Sequence, residues 1–216
     1  MNTVEIIFSP TGGTEKVARI ISKQWSESTT KIDLSDPKTD FSECAINKED
    51  RVLIAMPSFG GRAPAVAIER LKKISGNGAK CTLVCVYGNR AYEDTLVEME
   101  DAATECGFQV VAAVAAVAQH SIIPQYAANR PDASDVKQLE QFAQQIADKT
   151  EAAASVPGNR PYKKAGGAGL VPKPSKGCVK CGVCVKNCPV QAIDPVKFTA
   201  DSKKACSVRK ENELFM

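Results

Sequence analysis

The 216-residue chain contains one histidine, His120, followed by Ser121-Ile122-Ile123-Pro124, and a lone loop histidine is read as structural rather than catalytic. Its N-terminus, Met1-Asn2-Thr3-Val4-Glu5, lacks the basic region of a secretory signal. Its longest apolar run, Val110 to Ala118, is far too short for a bilayer, so no membrane span and a cytoplasmic protein are expected. Two nucleotide signatures are also missing: there is no G-K-[ST] and no G-x-G-x-x-G. A triphosphate loop and a dinucleotide fingerprint are thereby excluded. Asp33 falls where a ribose-binding acid would, but without the glycines it reads as strand-end polarity.

What the chain does have is cysteine, nine in all, five of them in the last 39 residues: Cys178, Cys181, Cys184, Cys188 and Cys206. Clustered cysteines in a chain with no export signal point to metal or redox chemistry rather than disulfides. The scattered Cys44, Cys81, Cys85 and Cys106 are assigned no role. Charge is divided as well. Residues 1–154 carry 16 Lys and Arg against 21 Asp and Glu, a balance of −5; residues 155–216 carry 12 against 4, a balance of +8. A basic tail raises nucleic acid as a partner. Lysines offsetting an anionic metal–thiolate site explain it better, and no nucleic-acid role is assigned.

Up to about residue 150, short apolar runs alternate with amphipathic ones, as in β-α-β units around a parallel sheet. Strands are expected at Val4–Phe8, Lys31–Leu34, Val52–Met56, Thr82–Val86 and Phe108–Val117, the last weakened by its alanines. Helices are expected at Thr14–Trp25, Ala65–Ile74, Tyr92–Cys106 and Ser134–Lys149, with Gly107 as a stop and Ser134 as a cap. Val136, Leu139, Phe142 and Ile146 form the stripe of the last helix. From Ala154 to Gly177, prolines and glycines break all periodicity, giving a linker or extended strap.

Cys178-Val179-Lys180-Cys181-Gly182-Val183-Cys184-Val185-Lys186-Asn187-Cys188-Pro189 fits C-x2-C-x2-C-x3-C-P, a ferredoxin run. Two-residue gaps wrap a tight loop around a cuboidal cluster, and Gly182 is read as permitting close backbone approach. Zinc is the rival, but zinc ribbons separate their C-x2-C pairs by a long loop. In two-cluster ferredoxins the fourth cysteine serves the other cluster, so Cys178, Cys181 and Cys184 give three ligands to one and Cys188 one to another. A second run begins at Cys206 and finds no further cysteine, so a second motif cut short is the expectation. A [4Fe-4S] cluster, a [3Fe-4S] cluster and an empty tail all remain open.

Ser9-Pro10-Thr11-Gly12-Gly13-Thr14 lies between the first strand and first helix. One hydroxyl suffices for a helix cap; three, with two glycines at a helix start, suit an anion such as phosphate. Pro57-Ser58-Phe59-Gly60-Gly61-Arg62-Ala63-Pro64 and Tyr87-Gly88-Asn89-Arg90-Ala91-Tyr92 follow the third and fourth strands. Ligands bind beyond strand carboxyl ends at a switch point, and Phe59 with Tyr87 or Tyr92 would flank a flat ring.

On these residues, 1–150 resemble flavodoxins. With Gly158-Asn159-Arg160-Pro161-Tyr162 and the first cysteine run, the chain resembles flavodoxin–ferredoxin fusion proteins of anaerobic bacteria and archaea. The resemblance implies a five-stranded, doubly wound α/β domain over 1–150, a linker over 151–176 and a shortened ferredoxin-type domain over 177–216. It implies FMN and [4Fe-4S] cofactors and redox partner proteins; the oligomeric state is left open. FMN would contact Ser9, Thr11, Gly12, Gly13, Thr14, Ser58, Phe59, Gly60, Gly61, Tyr87, Gly88, Asn89, Arg90 and Tyr92. The cluster would be held by Cys178, Cys181, Cys184 and Cys188. Electron transfer is the leading function. A flavin-dependent reductase of a small acceptor and a non-redox zinc- and phosphate-binding module are the alternatives.

Overall fold

Five parallel strands form one sheet in the order β2-β1-β3-β4-β5. The computed structural model describes residues 2–153, 155–164, 172–201 and 204. The strands are β1 (Thr3–Ile7), β2 (Thr29–Asp33), β3 (Arg51–Pro57), β4 (Lys80–Tyr87) and β5 (Gln109–Val117). The long helices are α1 (Gly13–Ser22), α2 (Ala65–Leu71), α3 (Thr95–Glu105) and α4 (Ala133–Ala147). This strand order is the one that defines the flavodoxin-like doubly wound fold.

Every expected strand and helix of residues 1–150 is present, with ends shifted by a few residues. Central strands β3 and β4 are apolar on both faces because each face carries a helix layer. Val52, Ile54 and Met56 of β3 join the core that includes α2 and α3 residues. Leu53 and Ala55 turn the other way, into the core shared with α1 and α4. β5 forms despite its alanines. Ala112, Val114 and Ala116 pack on the α1 and α4 side, Ala113 and Ala115 on the opposite side. A register shift against β4 between Cys81 and Thr82 leaves Val111 without a partner.

One expectation about a helix terminus changes and one holds. Asp132, not Ser134, caps α4: its carboxylate accepts the Ser134 and Asp135 N–H groups, and Asp135 answers back to the Asp132 N–H, completing a capping box. Gly107 adopts φ 83° just past α3, as expected of a left-handed helix stop. Glu5 brings a carboxylate into the sheet interior, 1 % exposed and bonded through Oε1 to the Ser22 hydroxyl of α1.

The chain beyond α4 returns to the domain as a strap. Val156 is buried in the α2–α3 core. Asp94, at the start of α3, does not cap its own helix; its carboxylate accepts the Asn159 N–H (2.8 Å), the Asn159 amide (3.0 Å) and the Lys163 N–H (2.7 Å). Arg160 binds Asp101 and Glu100, Tyr162 bonds Asp101, and Lys163 pairs with Glu93. Arg62, 8 % exposed, grips Glu98 with two 2.8 Å bonds, donates to the Lys163 carbonyl at 2.7 Å and stacks 4.7 Å over Tyr162. Acidic groups at a helix N-terminus are favoured in their own right, and here they also receive the basic strap.

Burial penalises the Asp94 carboxylate, yet the Lys163 and Asn159 donors outweigh it and hold its pKa below the usual carboxylate range. Asp101 is held down first by Arg160 and then, against burial, by Tyr162. A carboxyl with a lowered folded pKa stabilises fully above its unfolded value, and that contribution fades as pH falls through the folded value. The strap is therefore fixed at neutral pH, begins to weaken below about pH 4, where free carboxyls protonate, and loses this hold as pH falls through the lower folded values. Amide exchange over residues 158–163, corrected for its intrinsic pH dependence, checks this. Undiminished protection at pH 3 would refute it.

Candidate functional site: a cleft at the strand ends and a cysteine segment

The reversal of strand order between β1 and β3 opens a crevice at the carboxyl edge of the sheet. A cleft there is lined by Ser9, Thr11, Gly13 and Thr14 from the β1 loop, and by Ser58, Phe59 and Gly60 from the β3 loop. Tyr87 and Gly88 come from the β4 loop, and Gln119 to Ile122 from the loop after β5. Its enclosed volume is about 140 Å³. Ligand pockets run from roughly 300 Å³, so a flavin-sized group would keep part of itself in solvent.

The hydroxyl-rich loop divides its labour. Ser9 Oγ accepts the Glu15 N–H at 3.0 Å, which places one hydroxyl on the first turn of α1. Thr11 is exposed and Thr14 is buried at the helix start. Gly12 takes φ 82°, and a Cβ on Gly12 or Gly13 would meet nothing within 4 Å. That open space beside backbone N–H groups at a helix start fits a phosphate.

In the β3 loop, Phe59 N–H bonds the Arg62 carbonyl at 2.9 Å, with Gly60 at φ 66° and Gly61 at φ 87° between them. Two central residues with positive φ make a type I′ turn, so these glycines serve the turn itself. The turn holds Phe59, half-buried, at the cleft wall. Ser58 accepts the Thr95 hydroxyl at 2.8 Å, fastening this loop to α3.

Not every expected contact residue lines the cleft. Gly12 and Gly61 shape turns at its edge, and Asn89, exposed with φ 66°, sits in the β4 turn. Tyr87 meets Tyr92 edge-on at 5.4 Å, and Tyr87 alone of the two borders the cleft. Tyr92 and Arg90 line a neighbouring cavity of about 660 Å³ together with Glu93, Asp94 and the strap residues Gly158, Asn159 and Lys163. Arg90 pairs there with Glu93 at 3.1 Å.

His120, set aside in the sequence reading, stands in the cleft wall. Its Nδ1 accepts the Ile122 and Ile123 N–H groups, each at 3.1 Å, and its ring meets Tyr126 edge-on at 6.3 Å. It lies so close over Gly88 that a Cβ there would come within 2.5 Å of the imidazole. The signal that could have found it is position: His120 stands three residues past the end of β5, on the same rim as the other loops.

The cysteine segment is irregular up to Gly182, whose φ of 78° starts a one-turn helix, α5 (Val183–Lys186). A Cβ at Gly182 would meet no protein atom within 4 Å, and its positive φ is one that L side chains rarely adopt. All four thiols are free; those of Cys178, Cys181 and Cys184 are exposed, while Cys188 is half-buried and accepts the Ala192 N–H at 3.3 Å. Among the described residues, no three His, Cys, Asp or Glu side chains gather around a single ion position. Four free thiols and an N–H aimed at sulfur are nonetheless a donor set suited to an iron–sulfur cluster, whose properties depend on such hydrogen bonds. Cys206 lies outside the described residues.

Two outcomes follow. Gly88→Ala drives the new methyl into His120, and an overpacked contact of this kind costs about 1–3 kcal/mol. FMN affinity, read by quenching of flavin fluorescence, is expected to fall about tenfold or more, and unchanged affinity would remove His120 from the site. In cofactor-free native protein, burial pushes the Cys81 and Cys85 thiols far up, so both should resist iodoacetamide while Cys178, Cys181 and Cys184 react. Mass spectrometry of labelled peptides reads this directly, and equal labelling would contradict the placement.

Residues 175–194 match the family described as the 4Fe-4S binding domain. A search of curated protein sequences returns no match. Among solved structures, a flavodoxin from Streptococcus pneumonia TIGR4 is 21% identical, aligned over 67% of this chain and 97% of its own, with a TM-score of 0.47. A flavodoxin from the domain Archaea is 14% identical, over 68% and 97%, with a TM-score of 0.47. The rubredoxin oxygen:oxidoreductase of Desulfovibrio gigas is 19% identical, over 68% of this chain and 35% of its own, again with a TM-score of 0.47. The fold assignment rests on strand order and not on these distant likenesses. One polypeptide thus joins a sheet of flavodoxin strand order to a segment that matches the 4Fe-4S binding domain.

Proposed function

We propose that this chain is an electron-transfer protein, carrying FMN in the strand-end cleft and a [4Fe-4S] cluster on its cysteine segment, and passing electrons between low-potential redox partner proteins. The observation that carries the reading is the pairing, in one chain, of a cleft at the flavodoxin switch point with a matched cluster-binding segment. Residues 1–150 hold the flavin, 177–216 the cluster, and 151–176 connect them. The flavin would supply electron storage. Thr11, Thr14 and the Gly12–Gly13 backbone would hold its phosphate, with Phe59 and Tyr87 flanking the ring and His120 closing the side above Gly88.

Cys178, Cys181 and Cys184 hold three corners of the cluster, and Cys188 completes the four. Cys188 differs from the others in burial and in its N–H partner, which agrees with a fourth ligand that stands apart. The protein's own work is to position, shield and tune both groups.

Anaerobically reconstituted protein is expected to show flavin absorption bands together with a broad iron–sulfur shoulder near ~400 nm. Colourless protein containing zinc would overturn the reading. Changing Thr11 and Thr14 together to Val removes two donors to a charged phosphate, each worth about 1.5–3 kcal/mol, so FMN should bind about 100-fold more weakly or worse. Unaltered affinity would place the phosphate elsewhere. Rapid mixing with NADH separates carrier from reductase: a carrier is not reduced.

A further inference from the structure

Arg70 of α2 connects two parts of the chain that the sequence gives no reason to link. Its guanidinium lies over the Phe41 ring, 5.7 Å from the centroid. One arm, Nη1, donates to the Leu34 carbonyl at 2.5 Å, and the other, Nη2, donates to the Pro189 carbonyl at 2.6 Å, 119 residues away. Pro189 directly follows Cys188. Leu34 directly follows β2, and its own N–H bonds the Ile7 carbonyl of β1 at 2.7 Å. The next residue, Ser35, accepts the Ser9 N–H on its hydroxyl at 2.9 Å. A single side chain therefore joins the residue after the last cysteine of the segment to the residue after β2, whose neighbour Ser35 holds the Ser9 N–H at the start of the phosphate cradle.

The surroundings make this a fixed contact rather than a passing one. Val190 packs against the α2–α3 core, and Ala192, 4 % exposed, turns its N–H onto Cys188. Burial lowers the Arg70 pKa, but Asp36, Asp33 and Glu69 favour its charged form, and a guanidinium remains cationic in proteins. The planar fork is what allows two carbonyls to be held at a set angle; a lysine ammonium has no such geometry.

We propose that Arg70 is a positioning residue that docks the cysteine segment on the α/β domain at the shoulder of the Ser9–Thr14 loop, so that ligand binding in the loop and order in the cysteine segment reinforce each other. The proposal rests on the two sites assigned above, but the docking itself is testable without either cofactor. Coupling of this kind is reciprocal, so it can be read from either end.

In cofactor-free protein, amide exchange over Cys188–Ala192 is expected to quicken about tenfold or more in Arg70→Gln. Arg70→Lys, which keeps the charge but not the fork, should fall between. Equal exchange in all three proteins, with thermal melting showing each folded, overturns the docking. Adding FMN to the cluster-free wild type should slow exchange in that segment, and should not do so in Arg70→Gln. FMN that binds and leaves the segment unchanged overturns the coupling. FMN that does not bind defeats the flavin assignment and the coupling with it, while the first comparison still decides the docking. With the cluster reconstituted, Arg70→Gln removes a positive charge beside an anionic centre and should make its midpoint potential more negative, while Arg70→Lys holds it. A potential indifferent to both variants overturns Arg70 as a neighbour of the cluster.

Discussion

The arrangement depends on one constraint: five strands running the same way, with the order reversing between β1 and β3. Parallel strands discharge all their carboxyl ends at one rim, and the reversal sends the flanking helices to opposite faces, leaving a crevice between the first loops. The ladders continue a residue beyond the strands and stiffen that rim. Phe8 N–H reaches the Ala55 carbonyl at 3.0 Å, Ser58 N–H the Val86 carbonyl at 2.8 Å, and Ala118 N–H the Tyr87 carbonyl at 3.0 Å. The hydroxyls of the β1 loop, the Phe59 turn and the Tyr87–Gly88 step thus start from positions set by the sheet. Loops on a rigid frame are where binding residues gather.

Charge gives the second level of organisation. The N-terminal part is acidic and the remainder basic, and the structure brings part of that excess together across the strap. Arg160 meets Asp101 and Glu100, and Lys163 meets Glu93. Exposed pairs such as those of Arg160 contribute little individually. The buried anchors matter more: Asp94 with three donors, and Arg62 with Glu98, a carbonyl and the Tyr162 face. Of the two readings of this stretch, linker and strap, residues 155–164 follow the second. Composition alone could not separate them, since proline and glycine exclude helix and strand without saying what the extended chain lies against.

Much of the domain was legible because its signals are local. Buried parallel strands write themselves as unbroken apolar runs, and Gly107 marks a helix end through the φ it alone takes easily. The α4 cap was misassigned by two residues because Asp132 and Ser134 are both good caps; only the reciprocal bonds of Asp132 and Asp135 decide between them. Within the β4 loop, Tyr87 borders both the cleft and the cavity beside it, while Tyr92 and Arg90 line the cavity alone. Residues of one turn can divide between two spaces, and spacing does not record how.

The sequence by itself determined the class of sheet, the loops that line the strand ends and the identity of the cysteine segment. Each is carried by periodicity or spacing within a short window, where backbone geometry leaves few alternatives. The tertiary structure alone decided that His120 covers Gly88, that Asp94 receives a strap 65 to 69 residues away, and that Arg70 reaches Pro189 across 119. These are contacts between groups far apart in sequence that the fold brings to one place. Their partners are fixed by which elements share an edge of the fold, and no local pattern in the sequence encodes that.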